Sequence, residues 1–275
     1  MLAAALLVAP IGAAGAAAAD APYTIARSDV GEVAAPDGHR YRLLVAWPEG
    51  EPPAAGWPVL YLLDGADNFA VATETARRLA RAGARSGIAP GIVVGIDSGP
   101  LARRVLDYTP AAPGYTIPAG APAHGLATGG AERFLDFVEK TVQPRIAARW
   151  RVDPARRTIA GHSFGGVLAL HALFTRPEVA TRYAAVSPSF WYGGPLLAEE
   201  AARARPASRR LLIAAGSAEG GPGAQAGAAE RMVAGLIARG AEARLLDLPG
   251  QSHGTTMLAA MGEIVRLAFG TDPVR

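Results

Sequence analysis

The chain has 275 residues, half of them hydrophobic, which suits one large α/β core and excludes both a disordered composition and a small disulfide-stapled scaffold. The formal net charge is only +3 and Lys140 is the only lysine, so the basic charge is dispersed arginine, with no block resembling a nucleic-acid-binding arm. The absence of cysteine excludes disulfides, a thiolate nucleophile, Cys-ligated zinc and lipid attachment through cysteine.

Residues 1–19 carry no charged side chain, and a short apolar run there gives way to small residues ending Ala17-Ala18-Ala19 before Asp20. That pattern predicts a cleaved secretory signal, a periplasmic or secreted mature protein, and a single domain over 20–275. The run is too short and too interrupted for a membrane span, and no later segment supplies one.

Residues 23–26 and 41–46 read as strands joined through the turn Ala35-Pro36-Asp37-Gly38. After a Pro/Gly-rich stretch, 58–63 is a continuous apolar strand ending at Asp64-Gly65, followed by a helix over 68–82 and a second buried strand at 91–96. Residues 98–130 read as a long loop dense in Pro and Gly, a length that usually signals function. A helix is predicted over 131–150, with Phe134, Phe137, Val138, Val142 and Ile146 on one face and a kink or a split at Pro144. Strands at 157–160, 182–186, 210–215 and 243–248 then alternate with helices at 167–174, 195–203, 228–239 and 255–269, with a small-residue loop at 216–227. Such alternation implies a mostly parallel central sheet with helices on both faces and functional loops at the C-terminal strand ends.

The strand at 157–160 meets its helix through Gly161-His162-Ser163-Phe164-Gly165-Gly166. A G-x-S-x-G turn between strand and helix is a nucleophile elbow, in which a strained backbone lifts the serine hydroxyl clear of the sheet. Gly161 and Gly165 fit the crowding round such a turn. Ser163 is therefore the candidate nucleophile. A serine hydroxyl needs a base, and His253, in the turn after the last strand, is the candidate. In an α/β-hydrolase fold the acid follows the penultimate strand. Glu219 is the carboxylate there, Asp247 is an alternative within the last strand, and a Ser-His dyad is a third arrangement. The oxyanion hole is assigned to the backbone N–H of Phe164 together with that of Gly65 or Ala66. His162 fits a packing or capping role, His171 a core or surface role, and His124, in the long loop, is within a segment that can meet substrate. No His/Asp/Glu cluster suggests a bound metal, and no cofactor is expected.

Four segments resemble, in order, the esterase family that includes the enterochelin and salmochelin esterases and, more distantly, esterase D-like enzymes. They are the stretch 58–65, Arg104-Val105-Leu106-Asp107-Tyr108-Thr109-Pro110, the elbow, and Ser187-Pro188-Ser189-Phe190-Trp191-Tyr192. The resemblance covers roughly residues 22 to 270. It implies an α/β-hydrolase that cleaves the ester backbone of a catecholate siderophore of the enterobactin or salmochelin type, with Ser163 as nucleophile and His253 as base. Any iron would arrive with the siderophore, ferric or iron-free. Arg104 becomes a candidate contact for the anionic catecholate, and Tyr108, Trp191 and Tyr192 candidate substrate walls; Tyr192 stands where a second tryptophan is common. Plainer roles are an Arg104–Asp107 pair bracing the loop and Trp191 packing in the core. The alternatives in function are a carboxylesterase or acyltransferase acting on another small-molecule or carbohydrate ester, and a catalytically silent hydrolase-fold binding protein.

Overall fold

The computed structural model describes residues 20–121, 123–205, 209–219 and 225–271. Its strands are β1 Ser28–Ala34, β2 Arg40–Ala46, β3 Trp57–Leu63, β4 Ile92–Asp97, β5 Val152–His162, β6 Arg182–Val186, β7 Arg210–Gly216 and β8 Glu242–Leu248. They form one eight-stranded sheet of order β1-β2-β4-β3-β5-β6-β7-β8. β2 runs antiparallel to β1 and β4, and β3 through β8 are mutually parallel.

All of β3 is buried, and its side chains divide between two apolar clusters. Val59, Tyr61 and Leu63 enter one, Leu60 and Leu62 the other. A strand covered on both faces has no polar side, hence its unbroken apolar sequence. One face is covered by α1 Gly65–Arg81 and α8 Thr256–Phe269. The other carries α2 Leu101–Tyr108, α3 Ala131–Phe137, α4 Gln143–Arg149, α5 Phe164–Thr175, α6 Leu196–Arg203 and α7 Gln225–Ile237. The mostly parallel sheet with helices on both faces is thus observed, and so is the crossover order that gathers the loops after β3, β5, β6, β7 and β8 along one edge.

Three local expectations are corrected. Residues 23–26 form no strand; Tyr23 is exposed, and the first strand is β1, which begins just after Arg27 at φ 49°. As a sheet edge, β1 needs little apolar surface, so its sequence carries a weak signal. The stretch 98–130 is not all loop, because α2 lies inside it, burying Val105 and Tyr108 while Arg103 and Arg104 turn to ion pairs. The helix over 131–149 is continuous but changes winding: Val138–Val142 is a π turn between α3 and α4. Pro144 lacks an N–H to bond four residues back, and the wider turn absorbs that loss.

The expected signal segment, 1–19, lies outside the described residues, as do 220–224 of the loop at 216–227. Among the described residues no helix is long and apolar enough to cross a membrane.

Candidate active site

Ser163 sits between β5 and α5 with φ 58° and ψ −116°, a conformation rarely adopted by a residue with a Cβ. The crowding that requires glycine is specific. A Cβ on Gly161 would lie 2.5 Å from the Gly165 oxygen, and one on Gly166 would lie 2.9 Å from Pro188 Cα. On Gly165 it would make only ordinary contact, 3.4 Å from Leu63 Cδ1, so Gly166 rather than Gly165 shares the steric demand with Gly161.

His253 Nε2 lies 3.1 Å from Ser163 Oγ, and His253 Nδ1 lies 3.2 Å from Glu219 Oε2. The Glu219 side chain is 3% exposed, so it is not a surface charge in a Gly-rich loop. Its other oxygen, Oε1, accepts from the Gly216 N–H at 2.7 Å and from Ser187 Oγ at 2.5 Å. Asp247 is exposed on β8, and among the described residues the carboxylate bonded to His253 is that of Glu219. β5, β7 and β8 are parallel and close in the sheet, so the loops after them bring these three side chains to one edge.

Phe164 is the first residue of α5, and Gly65 and Ala66 are the first two of α1. The first N–H groups of a helix have no intrahelical acceptor and carry the positive end of its dipole. β3 and β5 are neighbours, so the two helix starts flank Ser163. Gly65 has no room for a side chain: a Cβ would lie 2.6 Å from the Gly95 backbone.

The turn before α1 is held by ion pairing. Asp64, at φ 54°, receives Arg104 Nε at 2.5 Å and Nη2 at 2.8 Å, and Nη2 also donates to the His162 carbonyl at 3.2 Å. Burial opposes the Arg104 charge, but bonding to Asp64 outweighs it and raises the guanidinium pKa. Arg104 therefore does not pair with Asp107; Arg103 does. Tyr108 is fully buried, accepts the Asp64 N–H at 3.1 Å and lies under the Arg104 guanidinium. Tyr192 is also fully buried, with its hydroxyl on the Pro110 carbonyl at 2.8 Å. These two rings, expected as substrate walls, are instead buried, with their hydroxyls bonded to the backbone of Asp64 and Pro110. Trp191 is half-buried, its ring 5.5 Å from that of Phe164 and its carbonyl bonded by Tyr115 at 3.2 Å. His124 bonds the Ile117 carbonyl within its own loop.

A family model described as "Putative esterase" matches residues 35–235. The chain belongs to this esterase family. It is 28% identical to the ferri-bacillibactin esterase BesA of Bacillus subtilis over 270 residues, 91% of this chain and 92% of that one. To the siderophore triacetylfusarinine C esterase of Aspergillus fumigatus it is 39% identical over 173 residues, 60% of this chain and 56% of that one, so the match spans less than two thirds of that relative. Among solved structures it resembles the siderophore hydrolase EstA of Aspergillus nidulans, with TM-score 0.77 and 26% identity over 90% of this chain and 96% of that one.

Several polar residues at this esterase-family site carried no sequence signal of their own. Ser189 Oγ lies 3.1 Å from Ser163 Oγ. Ser187, at φ 43°, and Thr256 lie between Glu219 and the His253 carbonyl, at 2.5, 2.7 and 3.1 Å along that line. The segment 187–192 is visible in sequence as a whole, but which of its hydroxyls meet Ser163 or Glu219 depends on pairings across the sheet edge. No group of three metal-ligating side chains occurs among the described residues. A groove of about 230 Å³ lies elsewhere, between Trp47, Arg77, Arg81 and Pro90 at the far end of α1, and shares no residue with this site.

Proposed function

We propose that the protein is a serine esterase that hydrolyses the ester backbone of a siderophore, with a catecholate ester of the enterobactin or salmochelin type as substrate. The observation that carries the reading is the hydrogen-bonded line from Glu219 through His253 to Ser163, at a strained strand–helix turn in a member of this esterase family. Siderophore esterases among its relatives supply the substrate class.

Ser163 Oγ attacks the ester carbonyl as His253 Nε2 takes its proton, and Glu219 stabilises the imidazolium. The carbonyl oxygen, now negative, is met by the N–H of Phe164 and of Gly65 or Ala66. Collapse breaks the ester C–O bond, and His253 returns the proton to the departing alkoxide. Water then attacks the acyl-enzyme with His253 again as base, releasing the acid and restoring Ser163. The half-buried Trp191 suits stacking on a flat acyl group. Iron, when present, belongs to the substrate. The reading includes export of the enzyme; N-terminal sequencing of the protein recovered from outside the cytoplasm tests that part.

The test is a hydrolysis panel of iron-free and ferric catecholate trilactones, a hydroxamate ester siderophore and simple p-nitrophenyl esters. Catecholate trilactone turnover should dominate. Ser163→Ala should lose activity by on the order of 10⁴-fold or more, and Glu219→Gln should lose less, but at least roughly tenfold. Activity confined to simple or carbohydrate esters replaces the siderophore reading, and transfer to an added alcohol in preference to water makes the protein an acyltransferase.

A further inference from the structure

The hydroxyls beneath Glu219 make three contacts: Ser187 Oγ to Glu219 Oε1 at 2.5 Å, Ser187 Oγ to Thr256 Oγ1 at 2.7 Å, and Thr256 Oγ1 to the His253 carbonyl at 3.1 Å. Two hydroxyls bring two protons, while a carboxylate and a carbonyl only accept. Ser187 gives its proton to Glu219 in the shortest contact. Thr256 then has one proton for two acceptors, and Ser187 Oγ is the nearer. The His253 carbonyl is left to another donor. His162 Nε2 is 2.7 Å from it, the shorter of its two side-chain contacts.

Because the acceptor is a carbonyl, His162 Nε2 must carry the hydrogen. We infer that His162 is a positioning residue, whose Nε2–H pins the His253 carbonyl and so holds the imidazole of His253 at bonding distance from the adjacent Ser163. The inference rests on the serine mechanism proposed above. Its covalent logic is simple: His162 is bonded directly to the nucleophile residue, so one hydrogen bond ties the loop after β8 to the elbow after β5. The other end of His162 is fixed as well, since its own carbonyl accepts from Arg104, which Asp64 holds.

The charge state suits the task. Burial first, and then the nearby His253 and Arg104, lower the His162 pKa against the opposing pull of Asp64 and the bond to the His253 carbonyl. The two imidazole rings are 4.6 Å apart. A neutral His162 leaves room for the positive charge that His253 takes up in each half-reaction; a second cation there would oppose it.

The test compares wild type, His162→Gln, whose amide can donate, and His162→Leu, which keeps bulk without a donor. The first readout is the rate at which an alkyl fluorophosphonate labels Ser163, which needs the nucleophile and base but no siderophore. The second is kcat and KM on whichever panel ester is turned over. The third is the 15N spectrum of wild-type His162. His162→Leu should label and turn over about 10- to 100-fold more slowly, with KM nearly unchanged. His162→Gln should recover most of the rate, and the spectrum should report the Nε2–H tautomer. Wild-type labelling by His162→Leu overturns the inference, as does a Nδ1–H tautomer, which is readable even if His162→Leu does not fold. A His162→Gln as slow as His162→Leu also overturns it. If wild type labels quickly yet hydrolyses no siderophore, the substrate reading fails while the labelling comparison still decides His162. A wild type that takes no label removes the serine mechanism and this inference together.

Discussion

Asp64 is the residue on which the turn before α1 depends. It is held in the left-handed region, and its carboxylate and backbone N–H are both engaged, by Arg104 and by the Tyr108 hydroxyl. The Arg104 side chain is only 20% exposed and spends its donors on Asp64 and the His162 carbonyl. Its work is thus to hold the N–H groups of Gly65 and Ala66 in place. Arg104→Ala should lower kcat about 10- to 100-fold, by similar factors on a catecholate trilactone and on a neutral p-nitrophenyl ester. Arg104→Lys should recover little, since an ammonium cannot make the two-pronged contact. Trp191→Ala, by contrast, should weaken the aromatic substrate selectively, because its ring is partly open beside Phe164. A loss confined to the catecholate in Arg104→Ala would restore direct substrate contact. Sequence marked Arg104 as a candidate catecholate contact, with a pair to Asp107 as the plainer role, and missed Asp64. Asp107 is three residues away and visible; Asp64 is forty residues earlier and becomes a neighbour only when β3 and β4 pair.

Elements were legible where periodicity is strong. β3, β4 and the helices α5 and α8 lie close to their predicted spans because buried strands and long helices write continuous or periodic apolar patterns. α2 was hidden because its eight residues give only two turns amid prolines and glycines, and β1 because an edge strand buries little. His171 was legible only as a core or surface residue of its helix, yet it joins three elements. From α5 its Nδ1 meets Glu200 of α6 at 2.8 Å and its Nε2 meets Glu132 of α3 at 2.9 Å. Burial opposes the charge, but bonding to the two carboxylates outweighs it and raises the His171 pKa. With the folded value above the unfolded one, this group's contribution to stability is fully present below about pH 6.5 and is lost as pH rises through the raised folded value. Wild type minus His171→Gln in urea denaturation, measured at several pH values, should give a stability difference that shrinks as pH increases across that window. A difference independent of pH would mean that the imidazole serves as a neutral hydrogen-bonding spacer.

At the scale of the whole molecule, the parallel sheet was the most legible feature behind the site. Strand–helix alternation alone implied a parallel sheet, and a parallel sheet gathers the loops after β5, β7 and β8 on one edge. What the alternation could not convey is the strain concentrated there. Ser163, Asp64 and Ser187 all have positive φ, and all three lie at the C-terminal ends of neighbouring or near-neighbouring strands. Such conformations cost on the order of 1–3 kcal/mol each and persist only because the surrounding packing over-determines them. The elbow should therefore trade stability against activity, and two substitutions separate the terms. Ser163→Ala and Ser163→Gly both remove the hydroxyl, so both should lose hydrolysis. Only glycine also removes the Cβ that makes φ 58° unfavourable. An alanine-to-glycine change normally destabilises by about 0.4–1 kcal/mol through the entropy of the unfolded chain. Here relief of strain should reverse the sign, leaving Ser163→Gly about 1 kcal/mol more stable than Ser163→Ala. For a domain of this size that is about 2–4 °C in Tm. If glycine melts below alanine, the elbow is relaxed in solution, and the exposure of the Ser163 hydroxyl must come from the crowding of Gly161 and Gly166 alone.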